Sequence, residues 1–231
     1  MGTIKCKSVV LATGSLVPKS ISAGIAAAVN DKINLPDAVN LASGLGAEVS
    51  GAELMQYHPT GVVWPEELRR ERLPETMRSE GAKLINKYGE EFVDEALTRK
   101  NVTDAIIAEC ENERGLTSQS GHKGVLLTTP DLEKKNGAGF IENKYPTFFN
   151  KFLEIGFDLR REPVMVFPIL HYSLGGLVVD ESTMTTVDGL FAAGENTWGI
   201  HGKERIAGNS LTDIFVFGRR AGKSAGRWAL K

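Results

Sequence analysis

The sequence predicts an α/β fold interrupted by an α+β insert. Short apolar runs ending in glycine turns lie near both ends of the chain. They are "SVVLATGS" at residues 8–15 and, from Pro163 onward, "VMVFPIL", "GGLVVD" and "GLFAAG". Such runs read as strands of a buried, largely parallel sheet. The stretch between them changes character and mixes a hairpin with amphipathic helices. A long helical pattern then closes the chain. The expected segments are 1–51, an insert at 52–168, and a return at 169–231.

Each element has a local reason. "SVVLATGS" reads as a buried strand leaving its sheet at Thr13-Gly14-Ser15. Ser20 is placed to cap a helix through "ISAGIAAAV". "LPDAVNLASGLGAEV" has Pro36 near a helix start and Gly46 near its stop. "AELMQYHPTG" reads as a strand broken by Pro59, and "KLINKYGEEFV" as two short strands around Tyr88-Gly89. "NVTDAIIAECENER" sets Val102, Ala105, Ile106 and Cys110 at helical spacing, stopped by Gly115. "YPTFFNKFLEIG" is another short amphipathic helix. The last helix, about Asn209 to Trp228, sets Leu211, Ile214, Phe215, Gly218, Ala221, Ala225 and Trp228 on one side.

Composition narrows the function classes. The 231 residues carry a formal net charge of -2, which gives no general affinity for nucleic acid or anionic membrane. Cys6 and Cys110 lie far apart and form no CxxC pair, which argues against a disulfide framework and for a reducing compartment. No apolar run is long enough to span a bilayer, and the N-terminus lacks a signal-peptide core.

Three of the four histidines stand in conspicuous contexts: His58 in "YHPTG", His171 in "ILHYSLGG" and His201 in "GIHGKER". His122 lies in a polar loop. No HExxH or helically paired histidines occur, so no metal is expected. Arg205 precedes the start of the last helix, where backbone amides carry positive partial charge and attract anions. Gly202 and Gly208 allow close backbone approach there. Glu195 follows "GLFAAG", and an acid at a strand end in a dinucleotide-binding sheet often takes ribose hydroxyls. Taken singly, Arg99 in "ALTRKNVTDAI" and Glu75 in "LPETMRSEG" read as solvated charges. The sequence holds no GxGxxG.

The segments "MQYHPTG", "RSEGAKLIN", "LTRKNVTDAI", "EPVMVFPILHYSLGG", "VDGLFAAGEN" and "HGKERIAGNSLTDIFVFGRRAG" follow one another in order. In that order the chain resembles the flavoprotein subunits of succinate dehydrogenase and fumarate reductase, whose superfamily includes the L-aspartate oxidases. The resemblance runs from "VVLATGS" to the last helix. It implies a partial FAD-binding Rossmann-like domain interrupted by a capping domain, with FAD as cofactor and fumarate or succinate as substrate. Hydride would pass at flavin N5 while Arg99 gives or takes the proton.

By this resemblance Arg205, His171 and His58 bind substrate carboxylates, with Thr60 beside them. Arg99 matches the arginine of the family's "SRDVV" segment, and Glu75 the glutamate of "TEGxRGEGG" that supplies it with protons. The FAD site would draw on Ala12, Thr13, Gly14, Asp37, Glu195, Arg205, Asn209, Ser210 and Leu211. The amides near Ser210 and Leu211 would meet the pyrimidine edge of the flavin. Some residues depart from the pattern. Pro74 stands where the family has a substrate-binding threonine, "HGKER" replaces "HGANR", and "LPDAV" keeps only Asp37 of a "TGDG" turn.

The family's GxGxxG region is not in the sequence. The expectation is therefore a partial protein, or one part of a split one, whose partners include an N-terminal FAD-binding half and an iron–sulfur subunit. The expected location is cytoplasmic, or peripheral on the cytoplasmic membrane through partner subunits. Two alternatives stand beside this reading: oxidation of an amino acid as in L-aspartate oxidase, and a non-catalytic fragment that only binds a ligand or partner.

Overall fold

The computed structural model describes residues 2–15 and 37–231. The expected helix after Ser20, and Pro36, lie outside the described residues. In chain order the elements are β1 (Val9–Leu11), α1 (Asp37–Gly44), β2 (Val49–Ser50), β3 (Met55–Trp64), a 3₁₀ turn (Glu66–Leu68), α2 (Thr76–Glu80) and β4 (Leu84–Ile85). There follow α3 (Arg99–Glu111), β5 (Leu116–Thr117), β6 (Lys123–Leu127), α4 (Pro130–Asn136), α5 (Phe140–Lys144) and α6 (Pro146–Glu154). The chain ends with β7 (Val164–Ser173), β8 (Gly176–Leu177), β9 (Leu190–Ala192) and α7 (Asn209–Ala229). The mixture of strands and helices is an α/β fold.

The described residues form two compact units. One comprises residues 2–15, 37–56 and His171–Lys231; the other is Tyr57–Leu170. The chain passes from one to the other within β3 and returns within β7.

In the first unit β1 pairs with β9 in parallel, Val9 opposite Leu190, as the apolar runs at the two ends of the chain suggested. The expected burial is not met. Val9 is 42% and Val10 38% exposed. A parallel strand is normally sandwiched between covered faces, and this sheet has two strands among the described residues. The core is small, built from Val39, Ala42, Ala47, Leu177, Leu190 and Ala192. Gly175 permits a close crossing, since a Cβ there would lie 2.0 Å from the Gly51 carbonyl oxygen.

Helix α7 corrects a second expectation. Its apolar residues do not share one buried side. Asp213, Ala221 and Ala225 are buried, at spacings of eight and four residues, whereas Leu211, Ile214 and Phe215 are 61%, 47% and 74% exposed. Small residues let the helix approach the sheet, and Trp228 meets Phe191 edge-on at 6.4 Å.

The second unit holds the larger core, which includes Leu73, Met77, Leu84, Ile106, Leu127, Phe152 and Val166. Its sheet runs β3-β7-β6-β4, with β5 paired to β6. Pro59 does not break β3, which continues for ten residues. The sheet order makes β3 an edge strand, where a missing N–H is tolerated. The Tyr88-Gly89 turn forms as expected, with Asn86 N–H bonded to Glu90 O at 3.1 Å, though its second arm is a single bridge from Ile85 to Glu91. Helix α3 stops at Glu111, before Gly115. Cys110 packs inside it, its thiol pushed up to about 11 by burial. It therefore behaves as a small apolar side chain.

Candidate functional site

The second unit joins Arg99 and Glu75. Thr98 caps α3 by accepting the Asn101 N–H at 3.4 Å, so Arg99 is the first helical residue rather than one just outside it. From there two guanidinium nitrogens reach Glu75, Nε at 3.0 Å and Nη2 at 2.5 Å from Oε2, with Nε also 3.2 Å from Oε1. Planar guanidinium matches a carboxylate in this geometry, whereas a lysine offers only a point charge. Glu75 directly precedes α2, and its Oε1 also accepts from Arg78 at 2.9 Å.

Arg78 lies one turn along α2 and is buried. Its remaining contact is to the Glu95 carbonyl at 3.4 Å, and its Nε has no hydrogen-bond partner among the described residues. Burial pushes the Glu75 carboxyl upward, but Arg99 and Arg78 outweigh it and hold the group below its ordinary range. Burial likewise disfavours the Arg78 cation, as it does Arg72, where the charge of Arg99 adds to the effect. The result is a chain Arg99–Glu75–Arg78 in which a carboxylate bridges two cations.

His58 and Thr60 meet in the same unit on β3. The Thr60 N–H points at His58 Nδ1 at 3.4 Å, and the Thr60 hydroxyl donates to the Leu73 carbonyl at 3.3 Å. The Thr60 hydroxyl also lies 3.3 Å from His58 Nδ1, so this ring nitrogen faces both the amide and the hydroxyl of Thr60. His58 is 2% exposed.

In the first unit Glu195 lies past β9, beyond Gly194 at φ +80°. Its Oε1 accepts the Ser173 N–H at 2.9 Å, and Ser173 Oγ in turn accepts from Ser15 Oγ at 3.2 Å. Burial pushes the Glu195 carboxyl above its ordinary value, against the opposing pull of the Ser173 amide, Ser15 and Arg205. Gly14, at φ +86°, turns the chain from β1 to Ser15, while Ala12 and Thr13 are exposed beside it. Asp37 opens α1 and is exposed.

Arg205 is buried, with its guanidinium carbon 4.3 Å from the centre of the Tyr172 ring. Its carbonyl accepts from Gln56 Nε2 at 2.7 Å. His171 and His201 both meet the Tyr172 ring edge-on, at 6.4 and 5.7 Å. His201 Nε2 is 3.2 Å from Asp213 Oδ2. At the start of α7, Asn209 and Ser210 follow Gly208, which has φ +84°. The Leu211 amide is bonded back to the Gly208 carbonyl at 3.1 Å, so it closes the first turn of the helix.

The predicted residues thus fall into two groups. Arg99, Glu75, His58 and Thr60 belong to one unit. His171, Arg205, Glu195, Ala12, Thr13, Gly14, Asp37, Asn209, Ser210 and Leu211 belong to the other. Sequence reasoning missed Arg78, Tyr172, Ser15, Ser173 and Asp213. Arg78 had a signal, its spacing of three from Glu75 on a helix. The others are brought together only by tertiary structure.

Residues 3–211 match the model of the FAD binding domain family, and the chain belongs to that family. A fumarate reductase (CoM/CoB) subunit of Methanothermobacter marburgensis is 41% identical over 191 residues, covering 80% of this chain and 34% of that protein. L-aspartate oxidase of Clostridium perfringens is 35% identical over 220 residues, 94% of this chain and 46% of that protein. Among solved structures, a quinol-fumarate reductase with menaquinol molecules superposes with a TM-score of 0.82 at 28% identity, over 97% of this chain and 40% of that one. Mycobacterium smegmatis Sdh1 in complex with UQ1 gives 0.74 at 35% identity, over 96% and 36%. The chain spans 34% and 46% of the two curated relatives.

FAD is the cofactor of this family, and the residues present fit part of it. Glu195 is a half-buried carboxylate with one oxygen on the Ser173 amide, and ribose hydroxyls would add further donors to it. The positive end of α7 suits an electron-rich ring edge. The sequence has no GxGxxG to cradle the pyrophosphate.

Proposed function

We propose that the chain provides the capping unit and part of the flavin site of an FAD-dependent oxidoreductase that interconverts fumarate and succinate. The observation that carries this is the Arg99–Glu75–Arg78 chain. Two cations flank one carboxylate that is partly open to solvent. They make a good proton relay.

Bound FAD supplies the hydride donor or acceptor. The chain's own residues do the rest. Arg205, His171 and His58 are the carboxylate-binding side chains of this reading, with Thr60 beside His58. Arg99 passes a proton to the substrate carbon that does not receive hydride. Guanidinium rarely gives up its proton, so the neutral form must be brief. Glu75, a carboxylate at rest and partly open to solvent, takes up a proton from water and passes it to the neutral Arg99 across their contact, while the Arg78 cation holds Glu75 in place. Glu195 would hold ribose hydroxyls, and the amides near Ser210 would suit the electron-rich edge of the ring. Pro74 offers neither hydroxyl nor amide donor, so carboxylate binding leans more on the histidines.

The similarity to fumarate reductases supports this reading. The similarity to L-aspartate oxidases supports the alternative of amino-acid oxidation, with the same arginine acting as base. An iron–sulfur subunit would deliver electrons, and an N-terminal half would hold the pyrophosphate. Among the described residues no helix is long and apolar enough to cross a membrane, so membrane attachment would come through partners. The test is to supply FAD and follow oxidation of succinate and of L-aspartate with a dye acceptor. Succinate turnover supports the proposal; turnover of L-aspartate alone overturns it in favour of the alternative.

A further inference from the structure

We propose that Tyr172 is the positioning residue of Arg205, its ring serving as an aromatic plate that aims the guanidinium. The inference rests on the reading of Arg205 as a carboxylate-binding cation. Both side chains are buried, Tyr172 at 4% and Arg205 at 3% exposure, and the guanidinium carbon lies 4.3 Å from the ring centre. A cation at that distance over a ring face is attracted by its negative quadrupole, most strongly where water is excluded.

The plate is itself held. The His201 ring abuts it at 73° and the His171 ring at 60°. Asp213, buried in α7 one turn from its start, fixes His201 at 3.2 Å. The Tyr172 hydroxyl lies near the Asp213 carboxylate without a hydrogen bond of good geometry among the described residues, so the ring contacts carry most of its orientation. Burial, helped by the charges of Glu195 and Asp213, keeps the phenol protonated, so Arg205 meets a neutral arene and not a phenolate. A carboxylate held at the edge of the guanidinium plane leaves this stacking contact intact. The ring can therefore hold the cation both before and after a substrate binds.

The experiment follows the Arg205 Nε–Hε group of the whole chain by nitrogen-15 NMR, with and without succinate. Tyr172→Phe keeps the plate and should leave Arg205 ordered, with succinate affinity unchanged. Tyr172→Leu keeps apolar volume without a π face. It should make the Nε–Hε group mobile and weaken succinate by roughly threefold to thirtyfold. Replacing Tyr172 by pentafluorophenylalanine removes electron density from the ring face at nearly constant shape. It should reproduce the loss even if the leucine variant does not fold, an effect that a merely space-filling ring would not show. An Arg205 as ordered in the fluorinated variant as in the wild type overturns the proposal. Absence of succinate binding by the wild-type chain would instead overturn the reading of Arg205, and the mobility comparison would still decide the role of Tyr172.

Discussion

At the scale of single residues, the half-buried carboxyls of Glu75 and Glu195 behave oppositely, and pH separates them. Glu75 has a lowered pKa when folded, so its ion pairs stabilise the protein above the ordinary carboxylate value of about 4.3. That stability is lost as pH falls through the folded value. Glu195 has a raised pKa, so its contribution is fully present below the unfolded value and is lost as pH rises through the folded one. Thermal melting of the chain should show this. Glu75→Gln should lower the midpoint at pH 7 and have little effect at pH 3. Glu195→Gln should raise the midpoint at pH 7, with the gain fading toward pH 3. Glu75→Gln should also cost roughly 10²–10⁴ in turnover with little change in KM, as expected for loss of a proton path rather than of binding. The motifs around Arg99, Glu75, Arg205 and His58 were legible in the sequence because they are local strings. Tyr172 was not, because its meaning depends on Arg205, His201 and Asp213, which come together only on folding.

At the scale of elements, the cap of α3 links local structure to the relay. Thr98→Ala should cost about 0.5–1 kcal/mol, toward the lower end for a cap because the bond is 3.4 Å long. It should also loosen Arg99 in the first turn, seen as reduced turnover beyond any stability loss. Gly175→Ala should destabilise the first unit by about 1–3 kcal/mol or more in a chemical melt, since its Cβ would meet the Gly51 carbonyl oxygen. Most elements were readable from periodicity and turn residues, α1 and α7 nearly to the residue. The misreadings have physical causes. Pro59 looks like a strand breaker until the sheet order puts β3 at an edge. Strand β6 was missed because five residues after a polar loop carry too little pattern, although the sheet places them at its centre. In α7 the apolar count suggested one buried stripe, but close packing selected the alanines and left the large side chains outside.

At the scale of the whole molecule, Leu211, Ile214, Phe215 and Val216 are exposed along the first half of α7, and Val9 and Val10 are exposed on β1. Surfaces of this kind drive association. The chain alone should self-associate as concentration rises. Phe215→Lys should shift sedimentation toward monomer with an unchanged melting temperature. Under the proposed function an FAD-holding N-terminal half belongs to the same assembly and is supplied in the assay below. The most direct test is fumarate reduction by a reduced dye, measured with FAD and the N-terminal segment of the Methanothermobacter relative supplied, for the wild-type chain and for Arg99→Lys. The account predicts turnover in the wild type and its loss in Arg99→Lys, since a lysine keeps the charge but not the two-point fork with Glu75. Equal turnover in both, or none in the wild type with flavin bound, would contradict it.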